Sequence, residues 1–435
     1  MSRSKLERCL KTTLAFSLLW CAVTNADTLN GSIDKGRYLA SAGDCVACHT
    51  AVRGKPFAGG LPLETPIGTI YSTNITPDPD TGIGAYTYED FVKAVQGGVA
   101  KDGHALYPAM PYVSYARVTD DDMRSLYDYF TRGVPPVRQT NRKDDVAWPL
   151  NVRWPLHLWR LLFVRASFET LPTSTQANDK QLARGAYLVE GLGHCGACHT
   201  PRAITMQEKA LSFSDGSSFL SGGALLGGWQ APSLQGDISD GLGNWSQQEV
   251  AQFLLTGRTA RTDAFGSMEE VIYNSTQYVT ADDANAIAHY LKTIPSTASL
   301  GYAVPQTSSR TSFDTLGNLR ITSNGARVYV DNCMACHRSN GRGYSLAFPA
   351  LAGNAALNGD TTEPIIRLVL AGSMSRGTRL TPASFYMPSF GWRLSNADVA
   401  DVVNFIRQKP ADTSFEATEE TVAKIRSRLD TQTPK

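Results

Sequence analysis

The chain has 435 residues, of which 42% are hydrophobic and 19% are charged, a composition that suits a folded protein of about two to four domains. Its formal net charge is +1, so it lacks the basic field that nucleic-acid-binding proteins present. Composition therefore excludes nucleic acid as a partner, and any further inference about function must come from local sequence motifs.

Residues 1–26 are typical of a secretory signal peptide. Four basic residues precede an apolar run from Thr12 to Val23 that is too short to span a bilayer, and the residues that follow predict cleavage after Ala26. A lipoprotein site at Cys21 is an alternative, but bulky Trp20 stands where processing requires a small residue. We therefore expect export to a compartment that permits disulfides.

The motif Cys-x-x-Cys-His occurs three times, at 45–49, 195–199 and 333–337. This spacing is the attachment signal of c-type haem, because thiols at positions i and i+3 share one face of a helical turn and can bond to two vinyl groups along one haem edge. The histidine that follows is placed to ligate the iron. The sequence thus predicts three haem c groups, held covalently by Cys45, Cys48, Cys195, Cys198, Cys333 and Cys336, with His49, His199 and His337 as axial ligands.

Counting the cysteines supports this interpretation. The chain has eight, and the two outside the motifs, Cys9 and Cys21, lie in the predicted signal peptide. The mature chain would have none left for a separate disulfide. Zinc is the other alternative, but a closed zinc site needs four ligands, and no second cysteine pair lies near each motif.

Helix signals repeat around each motif. A glycine and an aromatic residue precede it in a helical stretch, and a helix that ends at glycine follows it. These following helices are predicted to begin at Thr87, Ser246 and Pro364 and to end at 97–98, 257 and 372. The preceding pairs are Gly36 and Tyr38, Gly185 and Tyr187, and Gly325 and Tyr329.

A closing helix ends each repeat. Thr119, Thr280 and Ser395 each stand three residues before an acidic residue, as in a helix N-cap. Apolar residues follow at seven, ten and eleven positions past each cap, so they form one buried face. They are Leu126, Tyr129 and Phe130; Ile287, Tyr290 and Leu291; and Val402, Phe405 and Ile406.

These repeats predict an all-α fold of three tandem class I cytochrome c domains. The expected domains span 27–140, 180–295 and 315–410. An aromatic-rich linker covers 141–179, a second linker 296–314, and a polar tail 411–435 with a possible helix at 416–429.

The second axial ligand decides the chemistry, since a closed His/Met site carries electrons while an open site permits catalysis. Each repeat has one methionine between its two late helices: Met110, Met268 and Met387. Proline follows Met110 and Met387, which favours a fixed loop. Met268 runs into two glutamates instead. Met206 and His289 are its competitors, while Met123 and Met374 are expected to be packing residues.

The chain resembles the three-haem cytochrome c subunits of bacterial membrane-bound dehydrogenases over essentially the whole mature sequence. The first repeat carries Gly-Asp-Cys-Val-Ala-Cys-His-Thr at 43–50, Ser-Thr-Asn-Ile-Thr-Pro at 72–77 and Tyr-Pro-Ala-Met-Pro at 107–111. The second carries Gly-Trp-Gln-Ala-Pro at 228–232 and Gly-Leu-Gly-Asn-Trp-Ser at 241–246, and the third Phe-Pro-Ala-Leu at 348–351 and Met-Pro-Ser-Phe at 387–390.

The resemblance implies an electron-transfer subunit on the periplasmic side of the bacterial inner membrane. Its partners would be an FAD- or PQQ-dependent dehydrogenase subunit acting on a sugar acid, polyol, alcohol or aldehyde, and a third small subunit. Gluconate is slightly favoured as the substrate of that partner. Ubiquinone or a terminal cytochrome would accept the electrons. Such subunits often have an apolar C-terminal anchor, which residues 411–435 do not provide.

The segment 148–163 holds three tryptophans and two arginines. It fits either a helix lying on the membrane surface or a strap that packs between domains. We favour the strap, because a linker between packed domains must bury something. Burial of both Trp154 and Trp159 would exclude the membrane alternative.

Two other functions are compatible with the motifs. A haem enzyme such as a peroxidase would need one open iron position, and the second haem is the weakest of the three because Met268 is the least secure ligand. A free periplasmic electron shuttle would need no dehydrogenase partner, although three domains are large for a diffusing carrier.

Overall fold

The computed structural model describes residues 29–164, 179–224, 228–238, 240–296, 313, 316, 320–357, 361–407 and 416–432. The predicted signal peptide and most of the second linker lie outside the described residues. The chain forms two compact units, Met1–Val164 and Arg165–Lys435. The second unit contains both the second and the third Cys-x-x-Cys-His motif.

The first unit is mainly helical. Its helices are α1 (29–42), α2 (Cys45–Cys48), α3 (Tyr88–Val95), α4 (Tyr112–Tyr115), α5 (Asp120–Asp128) and α6 (Trp154–Phe163). A π-helical turn at Tyr129–Gly133 continues α5. Strands β1 (Pro62–Thr65), β2 (Gly68–Tyr71) and β3 (Asp145–Val146) form an antiparallel sheet in that order.

The second unit begins with α7 (Lys180–Ala186), which continues through a π-helical turn at Tyr187–Leu192. The elements up to the second closing helix are α8 (Gly196–His199), β4 (Gly223–Ala224), β5 (Gln230–Ala231), α9 (Gln247–Thr256), α10 (Ser267–Asn274) and α11 (Ala281–Thr293). Then follow α12 (Asn324–Asn332), α13 (Met334–His337), α14 (Glu363–Ala371), β6 (Ser373–Ser375), β7 (Phe385–Met387), α15 (Asn396–Ile406) and α16 (Glu419–Gln432). Strands β4 and β5 pair antiparallel, as do β6 and β7.

The predicted helix starts are confirmed. Thr87, Ser246 and Ser395 each form a capping box, in which the hydroxyl accepts a backbone N–H and the acid three residues on accepts the N–H of the cap residue. Thr119 and Thr280 also accept a backbone N–H three residues on. Pro364 lies in the first turn of α14, where a missing N–H costs nothing.

A glycine allows two helices to cross at the same point in each repeat. A Cβ atom at this glycine would collide with a backbone carbonyl six residues past the cap of the closing helix, so no larger residue fits without a shift. The crossings join α1 to α5, α7 to α11 and α12 to α15. The clashing pairs are Gly36 with Ser125 O at 2.0 Å, Gly185 with Ala286 O at 2.0 Å, and Gly325 with Asp401 O at 2.3 Å.

The apolar face predicted for each closing helix is buried. All nine residues at positions seven, ten and eleven past the caps are less than a tenth exposed. In the third repeat the rings of Phe313, Tyr329 and Phe405 contact one another at centroid distances of 5.3 to 5.5 Å. These faces hold each helix pair together through hydrophobic burial.

The sheets and the burial of the C-terminal helix depart from the expected picture, while the helix expected at 416–429 is confirmed by α16. The all-α expectation omitted the three small antiparallel sheets, although helices dominate the described residues. The predicted polar tail contains α16, and its Val422 and Ile425 are buried in the same core as α12, α14 and α15. The tail therefore packs on the third repeat.

Helix α6 lies on the first unit without burying any of its residues. Its Arg160 donates to the carbonyl of Gly97, and Trp159 meets Tyr112 edge-on at a centroid distance of 6.1 Å. Trp154, in contrast, is 70% exposed. One face of α6 thus contacts the first repeat, and packing between two domains stays a prediction. The burial of both tryptophans that would have excluded membrane contact is not observed. Within the described part of the chain, no helix is long and apolar enough to cross a membrane.

Candidate haem-binding sites

Each cysteine pair is presented by one short helical turn. Cys45 and Cys48 begin and end α2, while Cys195 and Cys333 stand immediately before α8 and α13. None of these six cysteines forms a disulfide. Burial raises the pKa of Cys45, Cys195 and Cys333 to about 12, so these thiols stay protonated at neutral pH. The two sulfur atoms of each pair are thus available for two thioether bonds.

The three motif histidines share one hydrogen-bond arrangement. The Nδ1 atom of His49 lies 2.7 Å from the carbonyl oxygen of Thr73, that of His199 2.8 Å from Pro232 O, and that of His337 2.9 Å from Pro349 O. A carbonyl only accepts, so Nδ1 carries the hydrogen and Nε2 keeps its lone pair. A carbonyl partner on the other ring nitrogen is the usual way in which proteins orient a metal-ligating histidine.

Burial also keeps these imidazoles neutral. It lowers the pKa of His49, His199 and His337, and the hydrogen bond to the carbonyl opposes this only in part. A neutral imidazole is the form that ligates a metal. Burial therefore keeps each motif histidine in the form that can ligate iron, and one hydrogen bond to a backbone carbonyl orients its ring.

Met110 lies in a turn just before α4. Its N–H bonds to the carbonyl of Tyr107, and its own carbonyl accepts from Tyr112. Arg153 supports this turn, with its guanidinium 3.8 Å from the Tyr107 ring centroid and one nitrogen 3.0 Å from Ala105 O. The turn agrees with the fixed loop expected from the proline at position 111.

Met268 has a different setting. It is the second residue of α10, and Gly266, with φ +58°, precedes the helix. The absence of a following proline agrees with this, since Glu269 and Glu270 continue the helix and suit its N-terminal dipole. Met268 is half-buried.

Met387 ends strand β7 and pairs with Ser373 of β6. It is half-buried against the hydrophobic core of the third repeat. The structure therefore places the three candidate methionines in a turn, a helix and a strand.

The competing residues take other positions. His289 bonds through Nε2 to Asp179 at 2.9 Å, which engages it between α11 and the start of α7. Met123 is fully buried, as expected of a packing residue. Met374 is 49% exposed on β6, so its predicted packing role is wrong. Met206 lies in the loop after α8, at a positive φ of +69°.

The carbonyl partners of the histidines were missed by sequence reasoning. Thr73, Pro232 and Pro349 all lie inside motifs that carry the family resemblance, so their presence was visible while their role was not. They stand 24, 33 and 12 residues from their histidines, and no regular spacing connects them.

These residues fit haem c. The motif supplies two thiols on one turn and an imidazole whose Nε2 is left for iron, and each repeat has a methionine on a separate segment. Thiols, imidazole and thioether are the donors that c-type haem uses.

Comparison with known proteins identifies the family. Residues 322–409 match the cytochrome c family model. The chain is 50% identical over 400 residues to the gluconate 2-dehydrogenase cytochrome c subunit of Pantoea cypripedii, covering 90% of this chain and 88% of that protein. It is 45% identical to the cytochrome c subunit of the quinone alcohol dehydrogenase of Gluconacetobacter polyoxogenes, covering 90% and 84%. Identity to the fructose dehydrogenase cytochrome subunit of Gluconobacter japonicus is 37%, covering 88% and 80%. The chain belongs to the family of cytochrome c subunits of bacterial dehydrogenases, which are electron-transfer components rather than catalytic ones.

Proposed function

We propose that the chain carries three haem c groups in three tandem cytochrome c domains, at 27–140, 180–295 and 315–410, and relays electrons from a periplasmic dehydrogenase subunit. The observation that carries the proposal is the threefold recurrence of one arrangement. Each motif histidine donates Nδ1–H to a backbone carbonyl, and each motif is preceded by a glycine crossing with a closing helix.

The proposed ligands explain why the chain would transfer electrons without performing catalysis. When bound, haem c supplies one-electron exchange between ferric and ferrous iron. The six cysteines would fix it covalently, and His49, His199 and His337 would each supply one iron ligand. Met110, Met268 and Met387 would supply the second. With both ligands supplied by side chains, neither peroxide nor oxygen would have an open site.

The relatives support a proposal for the partner and its substrate. We propose an FAD- or PQQ-dependent catalytic subunit, with a third small subunit in the complex, and ubiquinone or a terminal cytochrome as acceptor. Gluconate is the favoured substrate class, because the 50% identity to a gluconate 2-dehydrogenase subunit exceeds the 45% and 37% found for the alcohol and fructose dehydrogenase subunits.

We also propose that α6 contacts the periplasmic surface of the inner membrane. Its outward stripe is apolar, and residues 146–164 contain arginine and histidine but no carboxylate. Tryptophan with cationic residues suits the headgroup region of an anionic bilayer. The exposed residues of this stripe are Trp154 (70%), Leu158 (55%), Leu161 (79%) and Leu162 (67%), and Trp148 (79%) is exposed just before the helix.

Reduction of the haems by the complex tests the electron-transfer proposal. The chain is purified with its native partner subunits, and its visible spectrum is followed after gluconate is added without oxygen. We expect all three haems to become ferrous at the expense of gluconate. A complex that turns over gluconate with an artificial acceptor while these haems stay ferric would contradict the relay.

Sedimentation with phosphatidylethanolamine–phosphatidylglycerol vesicles tests the membrane contact. The double variant Trp154→Ser/Leu161→Ser is expected to lose most of its vesicle binding. Trp392→Ser is the matched control, because Trp392 is 82% exposed in the third repeat. Equal binding of both variants and the parent chain would exclude α6 as the contact.

A further inference from the structure

We propose that the ion pair between Glu269 and Arg376 is a positioning clasp. It fixes the Met268 segment, at the start of α10, relative to the Met387 hairpin formed by β6 and β7. The inference rests on the proposed function, since it takes these two methionines as axial ligands of the second and third haem. It assigns to three charged residues, Glu269, Arg376 and Arg258, a role in fixing two redox centres relative to each other.

The first half of the clasp lies next to Met268. Glu269 follows it in the first turn of α10 and accepts two hydrogen bonds from Arg376, from Nε to Oε1 and from Nη2 to Oε2, both at 2.6 Å. Such bidentate pairs are geometrically specific as well as strong. The side chains are only 14% and 29% exposed, so water screens the pair little. The Arg376 guanidinium also lies 4.0 Å from the ring centroid of Tyr273, one turn further along α10.

The second half of the clasp leads to Met387. Arg376 directly follows β6, whose ladder pairs Ser375 with Phe385 and Ser373 with Met387. A Cβ atom on Gly372, just before β6, would lie 2.5 Å from the Met387 carbonyl oxygen. The backbone that carries Arg376 is therefore tied to the backbone that carries Met387 by a short antiparallel hairpin.

Arg258 locks the same hairpin from the second repeat. It is 1% exposed and donates from Nε to Ser375 Oγ at 3.0 Å and from Nη2 to Ser375 O at 2.8 Å. Its guanidinium lies 4.7 Å from the Phe385 ring centroid. Further along, Arg379 N–H donates to Gln277 Oε1 at 3.0 Å. Side chains of the second repeat thus contact β6, β7 and the turn between them.

These contacts give the two methionine segments a common support. A shift of α10 would move Glu269 with Met268, and the bidentate pair would transmit it to β6 and then to Met387. Because both strands are also held by buried Arg258, the clasp resists relative motion of the two segments. A relay between two haems requires such a fixed relation, whereas two independently hinged domains would not provide it.

Glu269→Gln in the full-length haem-loaded chain tests the clasp, with the midpoint potentials and the methionine-to-iron charge-transfer band as readouts. We expect two of the three potentials to shift together and the band of the same two haems to weaken, while the first haem is unchanged. Glu270→Gln is the matched control, since Glu270 is exposed on the same helix. The charge swap Glu269→Arg/Arg376→Glu is expected to restore both signals in part.

Met268→Ala and Met387→Ala identify which haem gives which signal and separate the two proposals. If each variant removes the band of one haem but Glu269→Gln alters only one haem or none, the clasp is overturned and the ligands stand. If Met268→Ala leaves every band unchanged, the ligand assignment fails, and the clasp between two ligand segments fails with it.

Discussion

On the histidine side the three sites share the same contacts, whereas on the methionine side each site uses a different secondary structure. Every motif histidine meets a backbone carbonyl at 2.7 to 2.9 Å. The methionines lie in a turn, in the first turn of α10 and at the end of β7. The difference teaches that the local motif determines the histidine half of each site. The methionine half depends on the longer segment that follows the motif, which folds differently in each repeat.

A substitution that separates the two crossing helices of the second repeat, α7 and α11, is expected to have the largest effect on stability. Gly185→Ala places a Cβ atom about where it would meet Ala286 O at 2.0 Å, and a backbone carbonyl cannot move aside cheaply. We expect a loss of about 3 kcal/mol or more in the free energy of unfolding, measured by denaturant titration. Gly31→Ala is the control, since nothing lies within 4 Å of its added Cβ and its φ is not in the range that favours glycine. Equal stabilities would show that the crossing tolerates a side chain.

The next largest effect is expected from the buried carboxylate of Asp263, five residues before Met268. Asp263 is 8% exposed, its Oδ1 has no hydrogen-bond partner, and it forms a β-bridge with Arg258. Burial raises its pKa to about 6 from an ordinary 3.8, although nearby Arg258 opposes this. The folded chain therefore binds the proton more tightly than the unfolded chain, and stability falls as the pH rises from about 4 to about 6.

Asp263→Asn is expected to remove this cost. The variant should be more stable than the parent at pH 7 by up to about 3 kcal/mol, with no gain left below pH 4, where the parent carboxyl is protonated in both states. Thermal unfolding across that pH range measures the difference. A gain that does not change with pH would show that Asp263 is not the titrating group.

Arg153 offers a smaller test on the methionine side of the first repeat. It stacks on Tyr107, donates to Ala105 O and pairs with Asp144 at 2.5 Å, so it supports the turn that carries Met110. Arg153→Ala is expected to cost about 1–2 kcal/mol of unfolding free energy and to weaken the charge-transfer band of the first haem alone. Arg142→Ala is the control: it removes a guanidinium that stacks on Tyr71 instead, and it should leave that band unchanged.

Sequence reasoning succeeded where the physics is local. The cap residues Thr87, Ser246 and Ser395 were predictable, because a hydroxyl and an acid three residues apart satisfy the same backbone groups in any context. The buried faces of the closing helices followed from helical periodicity in the same way.

The rest depends on contacts between distant residues. Pro232 faces His199 across 33 positions, and Arg258 reaches Ser375 across 117, so neither partner can be inferred from spacing. The C-terminal helix shows the same limit. Its sequence is polar enough to suggest a solvated tail, yet two of its few apolar residues, Val422 and Ile425, complete the core of the third repeat.

Intact-mass analysis of the denatured mature chain, followed by peptide mapping, tests the central claim most directly, because thioether-bound haem survives denaturation. The account predicts the polypeptide plus three haems, with one haem on each of the peptides containing Cys45 and Cys48, Cys195 and Cys198, and Cys333 and Cys336. A chain from a haem-competent host with any of these peptides unmodified would contradict it.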